Sequence, residues 1–288
     1  MFETLTHSGS NGQVRLGGFK RAAVAAVALT AFALNFAPSA KAEGLWDDVK
    51  ARGVLRCAFA SAPPFEMKDV ATGEYEGAHL DLCKQFADVL GVKVQFVDTT
   101  WDNVVAGLQA GKWDMVPALD RTAPRALAIS FSDTVSANET TLTYLKTSKK
   151  IVNPPADLST IDVAGVRIGV ISGSANDRAL TQRIKNAQIV RLPTSDAVDL
   201  AVLSGRIDVA AKATEMNLLL QAAHPDQIAL LNPEPALSRL GVGFGLPANT
   251  SYHDMQVFNI FIEGKRGMGE IDAAMKHYSE VTVAGAKK

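Results

Sequence analysis

The residues best placed to do chemistry in this chain lie in Asp114–Asp133, DMVPALDRTAPRALAISFSD. An apolar pair, Met115 and Val116, runs into a polar turn, and Thr122 is placed to cap a short helix. Pro124 falls in the first turn of that helix, where a missing N–H costs little. Arg125 follows inside the same turn, where the helix dipole already supplies positive potential and disfavours a cation. An arginine there suggests an anion gripped by free backbone N–H groups and a guanidinium together. The local alternative is an exposed arginine paired with Asp120 or Asp133.

The elements that must position Arg125 alternate. Val54–Phe59 reads as a strand, Glu74–Gly77 as a short extended piece, and Leu80, Cys83, Phe86, Ala87 and Leu90 fall at helical spacing up to Gly91. Val92–Phe96 alternates as a strand, Asp102 opens a helix that ends at Gly111, and a strand at Trp113–Val116 leads into the Arg125 segment. After the polar segment Ser136–Thr140 and a strand Thr141–Leu145 the pattern restarts. Strands at Val166–Ile171, Ile189–Leu192, Ile207–Ala211 and Ile228–Leu231 alternate with helices from about Asn176, at Asp196–Leu203 and at Glu215–Ala223.

The restart is also a repeat in sequence. Asp102–Asp114 aligns without gaps on Asp196–Asp208, with Asp, Val, Gly, a basic residue and Asp recurring at one offset. This predicts an α/β protein of two similarly built lobes. A strand Gly241–Leu246 and amphipathic helices at about Tyr252–Ile262 and Met268–Tyr278 close the chain and are expected to cover the first lobe. The chain then crosses between lobes twice, giving lobe one as 43–138 plus 236–288 and lobe two as 139–235. Ligands in open α/β sheets bind beyond the carboxyl ends of strands. The Arg125 turn and the Ser172-Gly173-Ser174-Ala175 turn both sit at strand-to-helix junctions, one per lobe, and this favours a ligand role for Arg125.

Composition limits the classes of partner. Arg15, Lys20 and Arg21 precede an apolar run Ala22–Phe36, and Ala40-Lys41-Ala42 has the small-x-small form of a cleavage site. Residues 1–42 are therefore expected to be a secretory signal peptide rather than an uncleaved anchor. Charges interrupt every later apolar run, and Val283–Lys288 reads as a frayed tail. The leader carries four basic residues and one acid, so its removal moves the net charge from −1 to −4 and leaves no basic stripe for nucleic acid. Cys57 and Cys83 are open between a disulfide and two buried small hydrophobes, and with no accompanying histidine pattern they do not make a metal site.

With these residues in place, the mature chain resembles the bacterial periplasmic solute-binding proteins of the polar amino-acid class, family 3. The resemblance rests on Pro63-Pro64-Phe65-Glu66, Glu76-Gly77-Ala78-His79-Leu80-Asp81-Leu82, Trp101 with Leu108, Gly111-Lys112 and Asp114, Arg121-Thr122-Ala123-Pro124-Arg125 with Phe131-Ser132-Asp133, and Gly169-Val170 with Ser172-Gly173-Ser174. It implies a type II periplasmic-binding-protein fold, with two α/β lobes, a two-strand hinge and a ligand cleft between them. It also implies a monomer without cofactor that captures a small carboxylated solute and delivers it to an inner-membrane ABC permease. Arg125 would clamp the carboxylate, Ser174 and Ala175 would assist from the second lobe, and Trp101 would lie against the ligand, with Phe59 and Ala118 also at cleft positions. Trp101 as a core residue and Ser174 as only an N-cap are the plainer alternatives.

Departures from that pattern bear on the ligand. The Asp that usually holds the ligand ammonium is replaced by Ala213, with Glu215 two residues on, and the usual Phe-Asp after Gly77 is Ala78-His79. Asp120 stands at a position normally Ser or Thr, where it would repel a carboxylate unless it holds Arg125 or receives a ligand amine. His79 is a cleft candidate, against the commoner placing of a lone histidine on the solvated surface. The alternative function is a cyclohexadienyl-type dehydratase on the same scaffold, with Asp120 or Glu215 as its acid or base. The sensor lobe of a larger signalling protein is disfavoured by a chain ending at Lys288 without an output segment.

Overall fold

The computed structural model describes residues 44–286; the leader expected at 1–42 lies outside the described residues. The chain opens with α1 (Leu45–Arg52), β1 (Val54–Phe59), the short pair β2 (Met67–Lys68) and β3 (Tyr75–Glu76), α2 (Ala78–Leu90), β4 (Lys93–Asp98) and α3 (Val104–Gln109). There follow β5 (Val116–Asp120), the one-turn α4 (Ala123–Ala126), β6 (Ser130–Phe131) and β7 (Ser136–Leu145). Helix α1 had no counterpart in the sequence reading. It is fixed by burial of Trp46, whose Nε1 donates to the Asp254 carbonyl at 2.7 Å.

β1 pairs in parallel with β4, and Cys57 bridges to Met115 ahead of β5. The expected turn after Val116 is instead strand as far as Asp120, because an antiparallel neighbour from the end of the chain, β12 (Arg239–Leu246), pairs along it. Likewise the polar segment Ser136–Thr140 is strand. β7 runs through it, pairing with β12 at Ser136–Glu139 and then, after changing neighbours, with the second lobe. These two strands are the crossing, and the Thr140 and Ser238 hydroxyls hydrogen-bond at 2.6 Å where they meet.

The second lobe repeats the first. β8 (Arg167–Ile171), α5 (Ala175–Arg183), β9 (Gln188–Leu192), α6 (Ser195–Leu203), β10 (Val209–Ala213), α7 (Thr214–Ala223) and β11 (Ile228–Leu231) form a sheet in the order β11-β7-β10-β8-β9. The sequence repeat has a physical counterpart. Asp114 accepts the Arg56 N–H at 2.8 Å and its guanidinium at 2.7 Å, while Asp208 accepts the Arg167 N–H at 2.8 Å and its guanidinium at 3.1 Å. In each lobe one aspartate, Asp114 buried and Asp208 half-buried, ties a strand to the helix–strand turn that ends the repeat.

α8 (Tyr252–Gly267) and α9 (Glu270–Ala286) complete the chain, and Phe258, Ile262 and Ile271 join Trp46, Leu55, Phe86 and Phe244 in the first-lobe core. Val283–Ala286 continue α9 rather than fray. Two residues back from Ala284, the Thr282 hydroxyl meets Met67 Sδ at 3.6 Å, which ties the last turns to the body of the protein. Cys57 and Cys83 are free thiols with no exposure in that same core, in line with the reading as small buried hydrophobes.

Candidate functional site

The ends of β5, β7, β8 and β10 converge on one cavity. Trp101, Ala118, Asp120, His79, Ser174, Ala175, Ala213 and Glu215 line it together. Their convergence follows from local backbone. Ala118 is held at φ 46, the only non-glycine residue with positive φ among those described, so β5 kinks and presents both Ala118 and Asp120 to the cavity. β10 ends at Ala213 and α7 starts at Thr214, so Glu215 enters the cavity from the first turn of a helix. Ser174 is both cap and wall: its hydroxyl accepts the Asp177 N–H at 3.1 Å and it also lines the cavity. Trp101 is half-buried, donates from Nε1 to the Ser61 carbonyl at 3.2 Å, and forms one apolar side.

His79 is buried, which excludes the solvated-surface alternative. The cause is Gly77 at φ 135, where an added Cβ would lie 2.0 Å from the Phe65 carbonyl oxygen. Only glycine allows that approach, which brings the start of α2 onto Phe65 and Glu66. His79 Nε2 lies 3.4 Å from Ser136 Oγ, and Nδ1 lies 3.9 Å from Glu66 Oε1. Neither Nδ1 nor Glu66 Oε1 has a hydrogen-bond partner, and burial pushes the histidine down to about 4 and Glu66 well above the ordinary carboxylate range. The pair is therefore held neutral at the cavity wall, which His79 lines. Glu66, Ser136 and Asn138 were not singled out as site residues from the sequence: nothing local marks Ser136 and Asn138, brought in by a strand that changes sheets, or Glu66, which meets His79 only through the close approach at Gly77.

Phe59 does not belong to this cavity. Its ring packs edge-on against Tyr75 at 5.0 Å, in a depression rimmed by Lys68 and Asp98. Strand β1 ends there in parallel register with Asp98, and that pairing turns Phe59 to the rim.

Arg125 lines an adjoining cavity with Asp102, Val105, Gly173 and Arg178, and Trp101 is the wall common to both. Arg125 is buried, with its Nη1 donating to the Asp120 carbonyl at 3.0 Å and Nη2 to the Gly173 carbonyl of the second lobe at 3.4 Å. Burial, and then the charge of Arg178, lower it to about 10. Thr122 occupies the N-cap position of α4 without making a side-chain cap bond, and its hydroxyl is buried and unpartnered. With α4 only four residues long, the grip on any anion comes from the guanidinium rather than from a helix end.

The Asp120 carboxylate does not pair with the Arg125 side chain. It accepts from Asn138 Nδ2 at 2.7 Å, and burial raises its pKa against the pull of Asn138 and the nearby guanidiniums. Glu215 is raised as well, by burial first and then by the charges of Asp120 and Glu139. The main cavity is thus an acidic chamber with an apolar Trp101 wall, and beyond that wall lies a basic one. Arg178 was missed in the sequence, although it stands in the first turn of α5 and the reasoning that marked Arg125 would have marked it too.

Residues 55–187 match the model of the bacterial extracellular solute-binding proteins, family 3. A probable amino-acid ABC transporter periplasmic-binding protein of Sinorhizobium fredii is 29% identical over 72% of this chain and 69% of its own length. The lysine/arginine/ornithine-binding periplasmic protein of Escherichia coli is 27% identical over 77% of this chain and 85% of its own. Among solved structures, an ancestral amino acid-binding protein described as a precursor of cyclohexadienyl dehydratase superposes with a TM-score of 0.72 at 25% identity, covering 81% of this chain and 98% of that one.

Proposed function

The chain belongs to the bacterial extracellular solute-binding proteins, family 3, and from that premise we propose that it is the periplasmic, solute-capturing component of an ABC amino-acid importer. The solute is an amino acid held at both ends, with its carboxylate towards Arg125 and a cationic nitrogen at Asp120 and Glu215. One observation carries the choice of an amino acid over a plain organic acid: the Asp120 carboxylate faces the cavity free of Arg125, which binds the Asp120 backbone carbonyl instead. An acid so placed repels a carboxylate and attracts an ammonium or guanidinium. With Ala213 where relatives of this family usually carry an Asp, Asp120 and Glu215 take over the cation. The names of the relatives, which include a binder of lysine, arginine and ornithine, support the same reading.

Native mass spectrometry of the protein purified from its host is expected to show a bound small molecule with the mass of an amino acid. Arg125→Ala is expected to lose it, with affinity down at least 100-fold for a charge-assisted pair of this burial. Unchanged occupancy in Arg125→Ala would remove the clamp from the account.

A dehydratase on the same scaffold is favoured by a separate observation, namely that burial raises both Asp120 and Glu215, the direction that favours a general acid. Turnover of a cyclic dienyl acid by the purified protein supports that reading, and binding without turnover removes it.

A further inference from the structure

We propose that Arg178 and Arg125, one from each lobe, close on a single ligand carboxylate in the cavity behind Trp101, so that Arg178 is a ligand-binding residue and the second lobe is drawn shut through it. This rests on the reading above of a carboxylated solute, and it adds the residue that would couple that carboxylate to lobe closure.

Arg178 stands in the first turn of α5, where the helix dipole opposes a cation. Its Nε and Nη2 are shut off from solvent and have no hydrogen-bond partner. The adjacent acid does not serve it, because Asp177 is taken by Arg191 at 2.9 Å and by the Gly173 N–H at 3.3 Å. Arg125, on the facing lobe, hydrogen-bonds only carbonyl oxygens. Asp120 is near enough to feel both guanidiniums, yet its hydrogen bond goes to Asn138 and its side chain faces the other cavity. Asp102, on the rim, is exposed.

Two guanidiniums therefore share a cavity with N–H donors left over and with less negative charge than positive around them. Buried donors without acceptors are unfavourable, and charged ones more so. A carboxylate between them satisfies both, since each planar fork matches a pair of carboxylate oxygens. Because the two forks come from different lobes, the anion bridges the closed state and binds the open one through Arg125 alone. The ligand would then run from this pair along Trp101 to the acidic chamber.

The test compares wild type with Arg178→Gln and Arg178→Lys by calorimetry, using arginine and lysine and their carboxamides, in which the carboxylate is neutral. The expected result is a 10- to 100-fold weaker affinity for the free acids in Arg178→Gln, partial recovery in Arg178→Lys, and no difference among the three proteins for the carboxamides. A loss of less than twofold for the acids overturns the proposal, as does an equal loss for acids and carboxamides. If wild type binds none of the four, neither arginine nor lysine is the solute. Arg178 is then judged by the thermal shift with acetate against equal chloride. A saturable gain in wild type that is reduced in both Arg178→Gln and Arg125→Gln supports the shared anion site, and an equal gain in all three overturns it.

Discussion

At the scale of single residues, the site is governed by charges that burial has made unfavourable in the empty protein. Asp120 and Glu215 are both raised, so affinity for a cationic ligand is expected to fall as pH drops through a window above the ordinary carboxylate range. Asp120→Asn should weaken such a ligand at pH 7 by at least tenfold and flatten the pH profile, measured by calorimetry between pH 4 and 8. Glu66 acts on stability instead. Its folded pKa lies well above the unfolded 4.5, so the folded state keeps a proton that the unfolded chain releases, and stability falls as pH rises through that interval. Glu66→Gln is expected to raise the melting temperature at pH 7 and above while leaving it unchanged near pH 4. His79 works in the opposite sense. Lowered from 6.5 to about 4, it favours the fold above pH 6.5, and about 3 kcal/mol is lost as pH falls through that window. Arg125 was legible in the sequence because a cation in the first turn of a helix needs a reason. Glu66 was not, since its meeting with His79 depends on the close approach at Gly77.

At the scale of elements, the aspartates that close each repeat and the turn that joins the lobes carry the geometry. The ties of Asp114 to Arg56 and of Asp208 to Arg167 are alike, so Asp114→Ala and Asp208→Ala should each cost about 1.5–3 kcal/mol in chemical denaturation, and by similar amounts. A large inequality would mean that the repeat is one of sequence only. Gly173 has φ 70, and an added Cβ would lie 2.4 Å from Asp102 Oδ1 and 2.7 Å from Asp102 Cα on the facing lobe. Gly173→Ala is therefore expected to prop the cleft open, with at least tenfold weaker binding and a radius of gyration that no longer shrinks on ligand addition in small-angle scattering. The strands with strong apolar alternation were legible, as was the repeat. Ser136–Glu139 and Leu119–Asp120 were not, because these residues become strand there only through pairing with β12, a hundred or more residues away.

At the scale of the whole molecule, two α/β lobes meet over two chambers of opposite charge that share one tryptophan wall. Sequence patterning reached this architecture because alternation and the internal repeat are properties of single segments. The ligand was left open, because the side chains that choose it come from separate elements in both lobes and are read only by their juxtaposition. The direct test of the account is calorimetric titration of ligand-free protein with one amino acid and its two truncated analogues, one lacking the amino group and one with the carboxylate converted to an amide. The account predicts that only the parent, carrying both charges, binds in the micromolar range or tighter, and that each analogue is at least 100-fold weaker. Equal affinity for the parent and the deaminated acid would contradict it.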